Sequence, residues 1–139
     1  MSVILSGCRQ YSALDWYLSI SEKPSNGIEF CLSLDPGCKG EAVRLYGINI
    51  VETDVSGAAV QTVWSLQNQS DTGSSYALQR LTYGITPGGW KVITPSQPLK
   101  RDVYYAFDGR FYFKQLRDGK FIVLPRKEFQ ERVAAKTLP

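Results

Sequence analysis

The clearest β-strand pattern of the chain is Val103-Tyr-Tyr-Ala-Phe107, Asp108-Gly109, Arg110-Phe-Tyr-Phe-Lys-Gln-Leu116, Asp118-Gly119, Lys120-Phe-Ile-Val-Leu124. Three runs rich in aromatic and β-branched residues are separated by two Asp-Gly dipeptides. Such residues favour strands. Asp-Gly favours the type I′ turn of a tight hairpin, because both central residues of that turn need a positive φ. The stretch therefore predicts a three-stranded β-meander.

Towards the N-terminus the chain carries further β patterns, several with the period-2 alternation of half-buried strands. We predict strands over Ile28–Leu34, Val43–Val51, Ala59–Leu66, Tyr76–Tyr83 and the short segment Lys91–Thr94. Prolines bound the last of these segments, and prolines confine strands to edges or break them.

After Pro125 the segment 126–136 favours a short terminal helix, with a frayed tail as the alternative. About seven to eight short strands with frequent turns and no intervening helix indicate a β-sandwich of immunoglobulin-like or fibronectin-like character. A closed barrel is the second choice. At 139 residues the chain has the length of a single domain.

The chain contains no histidine, and this absence argues against catalysis. It excludes Ser-His-Asp and Cys-His arrangements and removes the commonest metal ligand. Three cysteines with a carboxylate fit no common zinc site. The 13 Asp and Glu residues include no pair whose setting marks it as catalytic. We expect no enzyme activity, no metal and no cofactor.

The charge is uneven along the chain. Residues 100–139 contain ten Lys and Arg against five Asp and Glu, whereas residues 1–99 contain six against eight. Basic residues interleaved with aromatic ones, as around Tyr104 and Phe111, can stack single-stranded nucleic acid. Strand aromatics more often face a core, however, so we expect no nucleic-acid partner.

The three tryptophans have different surroundings. Trp64 lies within an alternating run, and Trp16 lies beside other apolar residues, so we expect both in the core. Trp90 follows Pro87-Gly-Gly89 at a turn, where a partly exposed ring would suit a protein interface. Core packing at the start of a strand is the alternative for Trp90.

Near the start of the chain, Leu5-Ser-Gly-Cys8 resembles the lipobox of bacterial lipoproteins. The resemblance implies that residues 1–7 are a shortened remnant of a signal peptide, that Cys8 carries lipid, and that residues 8–139 form the mature domain. Only Met1-Ser-Val-Ile-Leu5 precedes the small residues, less than the apolar stretch of a full signal. The chain has no apolar run near the ~20 residues of a membrane span, so the only membrane attachment we expect is the lipid.

With Cys8 assigned to lipid, Cys31 and Cys38 remain as an even pair. Asp35-Pro-Gly37 between them is a turn sequence that can bring the two cysteines together. A disulfide there requires an oxidising compartment such as the periplasm. Two free thiols in a cytosolic protein are the alternative.

The layout also resembles the periplasmic immunity lipoproteins of bacterial type VI secretion systems. The similarity rests on the lipobox, on Tyr83-Gly-Ile-Thr-Pro-Gly-Gly-Trp90, and on Pro98-Leu99 through Tyr104-Tyr105 to Asp108-Gly-Arg-Phe-Tyr-Phe113. It implies a toxin inhibitor that is anchored to the outer membrane and faces the periplasm. Arg9 follows the cysteine in place of an aspartate, which is similar to lipoproteins that are sorted to the outer membrane. A form that starts at Met1 would instead stay in the cytoplasm.

In that family the partner is a secreted effector, often a lipase or phospholipase, which the immunity protein blocks by steric occlusion. Our candidate partner-binding residues are Trp90, Arg101, Tyr105 and Asp71, the last within the polar loop 68–75. The main alternative is a structural envelope lipoprotein that assembles a secretion machine. A ligand-binding lipoprotein would need an apolar cavity, and a hydrolase would need two carboxylates that converge in a cleft.

Overall fold

The computed structural model describes residues 16–25, 27–69 and 77–139, so the lipobox and Asp71 lie outside the described residues. Within these ranges the strands are β1 (Tyr17–Lys23), β2 (Gly27–Ser33), β3 (Val43–Arg44), β4 (Gly47–Thr53), β5 (Ala59–Asn68), β6 (Ala77–Leu78), β7 (Arg80–Thr82), β8 (Trp90–Thr94), β9 (Tyr105–Phe107), β10 (Phe111–Gln115) and β11 (Phe121–Pro125), and helix α1 spans Arg126–Ala135. The all-β, sandwich-like class is confirmed, as is the terminal helix.

The strands form a large sheet of order β11-β10-β9-β4-β5-β8, a smaller sheet of order β1-β2-β7, and the two-stranded pair β3-β6, all antiparallel. The inner faces of the two larger sheets share one core. At its centre Phe30 of β2 lies 5.2 Å from Phe107 of β9 and 5.4 Å from Phe113 of β10, measured between ring centroids. The aromatic residues of the opening stretch are therefore what the smaller sheet packs against.

The described part of the chain has eleven strands, more than the seven or eight expected, because two predicted strands are each divided and β1 is additional. Val43–Val51 becomes β3 and β4, since the chain passes from the two-stranded pair into the large sheet. Tyr76–Tyr83 becomes β6 and β7, which pair with different strands. Between them the Gln79 carbonyl accepts the Leu32 N–H at 2.7 Å.

A second, smaller core lies on the outer face of the meander, beneath α1. Phe129 of the helix is buried against Tyr104 and Leu124, and its ring stacks on Tyr112 with centroids 3.9 Å apart. This is why strand residues around β9 are buried on both faces, which a period-2 pattern does not anticipate. The helix begins after Pro125, whose side chain cannot cap it.

The meander is confirmed, and its first Asp-Gly turn has the backbone that we predicted. Asp108 and Gly109 have φ values of 55° and 67°, and the Arg110 N–H donates to the Phe107 carbonyl at 3.0 Å. The same turn is hydrogen-bonded to β4: the Asp108 N–H donates to the Asn49 carbonyl, and Asp108 Oδ1 accepts the Asn49 N–H, each at 2.8 Å.

The second Asp-Gly turn differs from the expectation. Only Gly119 has a positive φ, and its N–H donates to the Leu116 carbonyl at 2.9 Å. The Leu116 N–H in turn donates to the Lys120 carbonyl at 2.8 Å, while Asp118 Oδ1 accepts the Lys120 N–H. A three-residue loop that ends in glycine therefore replaces the predicted type I′ turn.

Replacement of Asp108 by asparagine is expected to stabilise the protein at about pH 8. Burial raises the pKa of Asp108 from 3.8 to about 6, so folding disfavours the charged form. The contribution of Asp108 to stability is therefore most favourable below about pH 4 and is lost as the pH rises through 6. Asparagine tolerates the positive φ and keeps the acceptor for Asn49. We expect a gain of about 2–3 kcal/mol at pH 8 that disappears near pH 4.

Urea unfolding of both proteins across this pH range measures the gain. Asp102→Asn is the matched control, because Asp102 also has a positive φ, of 60°, but pairs with Arg117 at the surface. The control should show little change at either pH. A difference between wild type and Asp108→Asn that does not vary with pH would contradict the assignment.

Candidate functional site

Trp90 is buried, with 6% of its surface exposed, and the expectation of a partly exposed ring was wrong. It is the first residue of β8 and lies opposite Asn68 of β5, so its ring joins the main core. The turn before it is present, since the Trp90 N–H donates to the Pro87 carbonyl at 3.2 Å. Trp90 therefore packs in the core at the start of a strand, which was the alternative expectation, and its ring offers no contact surface in this structure.

Tyr105 is also buried, at 1% exposure, so its expected place on a binding surface is corrected as well. Its ring stacks with Phe113 at 5.6 Å, and its hydroxyl accepts the Lys100 N–H at 2.8 Å. Burial raises the pKa of Tyr105. The tyrosine holds the chain that enters the meander rather than contacting a partner.

Arg101 is exposed as expected, but it already has neighbours within the molecule. Its guanidinium donates to the Arg117 carbonyl, and it lies 3.9 Å from the Glu22 carboxylate. The structure does not bring Arg101 together with Trp90 and Tyr105 into one exposed patch. Of the predicted partner-binding residues that the structure describes, Arg101 alone is at the surface.

Cys31 and Cys38 lie at disulfide-bonding distance, with Cα atoms 5.6 Å apart. Cys31 is a buried residue of β2, and Cys38 ends the turn that begins at Asp35. Gly37 and Cys38 both have a positive φ, which turns the chain back towards β2. The predicted pairing of these two cysteines is therefore seen.

The exposed apolar surface is concentrated elsewhere, at β8. In the described part of the chain seven large hydrophobic side chains are exposed, and three of them lie in this strand or in the connection that leads into it: Ile85, Val92 and Ile93. Val92 and Ile93 belong to β8, at 39% and 52% exposure, and Ile85 lies in the connection that leads into it. Tyr46 lies at the same end of the sheet but on the other side of β5, where its carbonyl accepts the N–H of Asn68.

We call Ile85, Lys91, Val92 and Ile93 the edge surface. β8 is the outer strand of the large sheet, and no strand in the described ranges pairs with its other side. An outer strand presents N–H and C=O groups that can pair with another chain. Lys91 and the flanking Pro87 and Pro95 restrict such pairing to a few residues, which limits unspecific association. Chemically, the edge surface can bind an extended segment of a protein.

The sequence predicted only part of this surface. The prolines around Lys91–Thr94 indicated an edge strand, but the exposure of Val92 and Ile93 depends on which strands lie beside them in the fold. Ile85 belongs to the segment Tyr83–Trp90, in which Trp90 was predicted to be exposed and Ile85 was not considered; the structure shows Ile85 exposed and Trp90 buried.

The described residues show neither a metal site nor a membrane-spanning helix. They contain no cluster of three or more His, Cys, Asp or Glu that could hold a metal ion. They also contain no helix long and apolar enough to cross a membrane.

No protein-family model matches the chain, and no curated protein or solved structure matches it significantly.

Proposed function

We propose that this protein is a binding module that engages a partner protein along β8, and that it acts as an immunity lipoprotein against a secreted effector. The observation that carries the first part is the exposure of Val92 and Ile93 on an unpaired sheet edge, with exposed Ile85 in the connection before it, within the described residues. A segment of the partner would add a strand to the sheet. Main-chain hydrogen bonds would supply affinity, and the alternating side chains would supply specificity.

The energetics suit a protein interface. Full burial of an aliphatic side chain contributes about 1.5–3 kcal/mol, so covering the exposed parts of Ile85, Val92 and Ile93 would contribute about 1 kcal/mol each. Tyr46 at the same end of the sheet has 73% of its surface exposed and is the type of residue that anchors interfaces.

A rigid support behind the edge surface favours steric inhibition. The Tyr83 hydroxyl donates to the Gln97 carbonyl and also lies 3.3 Å from the Val63 carbonyl. Tyr83 therefore links the segment before β8 to the segment after it and to the neighbouring strand β5. Its ring packs against Trp64 with centroids 5.0 Å apart. A surface held in this way loses little conformational freedom on binding, which favours affinity.

The identity of the partner rests on the resemblance to type VI immunity lipoproteins. The segment Tyr83–Trp90, one of its matching pieces, leads directly into β8. The expected partner is a secreted lipase or phospholipase, and the expected location is the periplasmic side of the outer membrane through lipid on Cys8. The edge surface would cover the catalytic cleft of the effector or hold its lid closed.

Val92→Lys/Ile93→Lys is expected to weaken partner binding at least about 100-fold, because two cations replace the aliphatic contacts. The purified protein serves as bait in lysate from its source cells, and mass spectrometry identifies a stoichiometric partner. Calorimetry then compares the variants, and a hydrolase assay tests whether the captured partner loses activity on titration.

Val60→Lys is the matched control, because Val60 is an exposed aliphatic residue at the other end of the β4-β5 hairpin. It should change affinity less than about threefold. Capture of secretion-machine subunits with no inhibition would replace the immunity function by a structural one. Equal binding of all three proteins would contradict the role of the edge surface.

A further inference from the structure

A cavity of about 840 Å³ lies between the tip of the β4-β5 hairpin and the end of α1. Its wall includes residues 54–56 of the hairpin tip, Tyr104, Lys114 of β10, and Val133 and Lys136 at the end of the helix. None of the residues that line it belongs to β8. Its volume is in the range of small-molecule sites.

Aliphatic side chains line this cavity without filling it. Val55, at the hairpin tip, has 90% of its surface exposed. Val133 and Leu138 are partly buried against the second core, and Val103 is partly buried against the main core. An apolar ligand would remove this surface from water, which favours its binding.

The hairpin tip forms a rigid part of the wall. Asp54 Oδ1 accepts hydrogen bonds from the Ser56 N–H at 2.8 Å, the Ser56 hydroxyl at 2.6 Å and the Ala58 N–H at 3.1 Å. Gly57 has a φ of 86° and lies so close to the Phe129 ring that a Cβ there would be 2.8 Å from Cε2. Val55 is therefore held by an ordered turn, so a ligand that covers it costs the protein little conformational freedom.

The cations on the wall are Lys114, Arg132 and Lys136. Arg132 is paired with Glu128 at 3.1 Å. No aspartate or glutamate in the described ranges pairs with Lys114 or Lys136. These two lysines are therefore available to an anion.

The acids on the same wall already have partners. Glu52 pairs with Lys100 at 3.5 Å and Asp102 pairs with Arg117 at 2.9 Å, and both cations lie outside the wall. Asp54 is bound by the donors of its own turn. Two lysines without an ion partner thus outweigh one aspartate, and the cavity suits a single anionic group.

A segment of the chain itself shows which groups this wall accepts. The Leu138 side chain packs against the second core, and the carbonyl oxygen of the next residue, Pro139, accepts a hydrogen bond from Lys114 Nζ. The same ammonium lies 5.0 Å from the centre of the Tyr104 ring. An aliphatic group followed by an oxygen acceptor therefore fits here. An ammonium has three donors, so Lys114 keeps two for a ligand.

We infer that this cavity binds a free long-chain fatty acid. The carboxylate would meet Lys114 and Lys136, and the alkyl chain would lie against Val55 and Val133. This site is independent of the edge surface and of the proposed immunity function.

Laurate, kept below the concentration at which it forms micelles, is a suitable probe for the full chain. In ¹⁵N-labelled protein the amide resonances of Ser56 and Val133 should move and saturate, while those of Lys91 and Val92 on β8 should stay in place. Butyrate has the same head group but little apolar surface to bury, and it should show no saturation at equal concentrations. Dodecyltrimethylammonium, with a positive head on a chain of the same length, should bind at least about tenfold more weakly.

Lys136→Asn should weaken laurate binding about fivefold, because a charge-assisted hydrogen bond is lost. Asparagine tolerates the positive φ of this position, 58°, so the helix end is kept. Lys127→Gln is the matched control, since it removes the same charge from the same helix outside the wall of this cavity. It should change affinity less than about twofold.

Three results would each overturn the inference. The first is the absence of a saturable shift at Ser56 and Val133 in the wild-type protein. The second is equal affinity for laurate and dodecyltrimethylammonium, which would mean that the lysines do not select an anion. The third is an equal loss of affinity in Lys136→Asn and Lys127→Gln, which would reduce the effect to overall charge.

Discussion

Phe30→Ala is expected to lower the free energy of unfolding by about 3–5 kcal/mol, a large part of the stability of a domain of this size. Phe30 is fully buried, and it contacts aromatic rings from both larger sheets: Tyr83 beyond β7, Phe107 of β9 and Phe113 of β10. Its removal leaves a cavity between the two sheets, lined by the rings that Phe30 contacts.

Urea unfolding followed by tryptophan fluorescence measures this loss. Ile93→Ala provides the control, because Ile93 is half exposed and its truncation should cost less than about 0.5 kcal/mol. Phe30→Leu, which refills part of the volume, should recover about half of the loss. A loss below about 1 kcal/mol for Phe30→Ala would mean that the two sheets do not share this core.

Phe129→Ala is expected to release α1 from the meander and to cost about 3 kcal/mol. The ring of Phe129 is 2% exposed, stacks on Tyr112 and packs edge-on against Tyr104 at 5.2 Å. A ten-residue helix is not stable alone in water, so loss of this anchor should lose the helix as well.

Circular dichroism near 222 nm should show the loss of the helix, while the aromatic fluorescence of the main core remains. Gln130→Ala, at an exposed position next to Phe129, should leave both signals unchanged. Retention of the helix in Phe129→Ala would show that other contacts hold it.

The local features of the fold could be predicted from the sequence. The meander and the terminal helix follow from propensity, proline placement and turn residues that act within a few positions of each other. The turn at Asp108-Gly109 was predicted correctly because both residues need only their own backbone freedom. At Asp118-Gly119 the same dipeptide forms a longer loop, since Leu116 and Lys120 pair before the turn begins.

The pairing of distant segments could not be predicted. Neither the division of Val43–Val51 nor that of Tyr76–Tyr83 has a local cause, because each depends on which strand lies alongside. Burial on both faces around Tyr104 and Tyr105 depends on a helix more than 20 residues later in the chain. The alternation rule fails where a second layer covers the outer face.

The same limit explains the result for the candidate site. Residue type suggested Trp90 and Tyr105 as interface anchors, but large aromatic rings are also what a core needs, and both are buried. The proposed binding residues are instead Val92 and Ile93, two aliphatic residues that are exposed on an outer strand. Sequence could place that strand at an edge but could not show which of its side chains stay uncovered.

Binding along β8 can be tested by site-specific photo-crosslinking in the source cells, with a benzophenone amino acid in place of Ile93 or, separately, Val60. We expect position 93 to yield one dominant adduct with a secreted hydrolase and position 60 to yield none. Adducts of equal strength from both positions, or an adduct from position 60 alone, would contradict binding along β8.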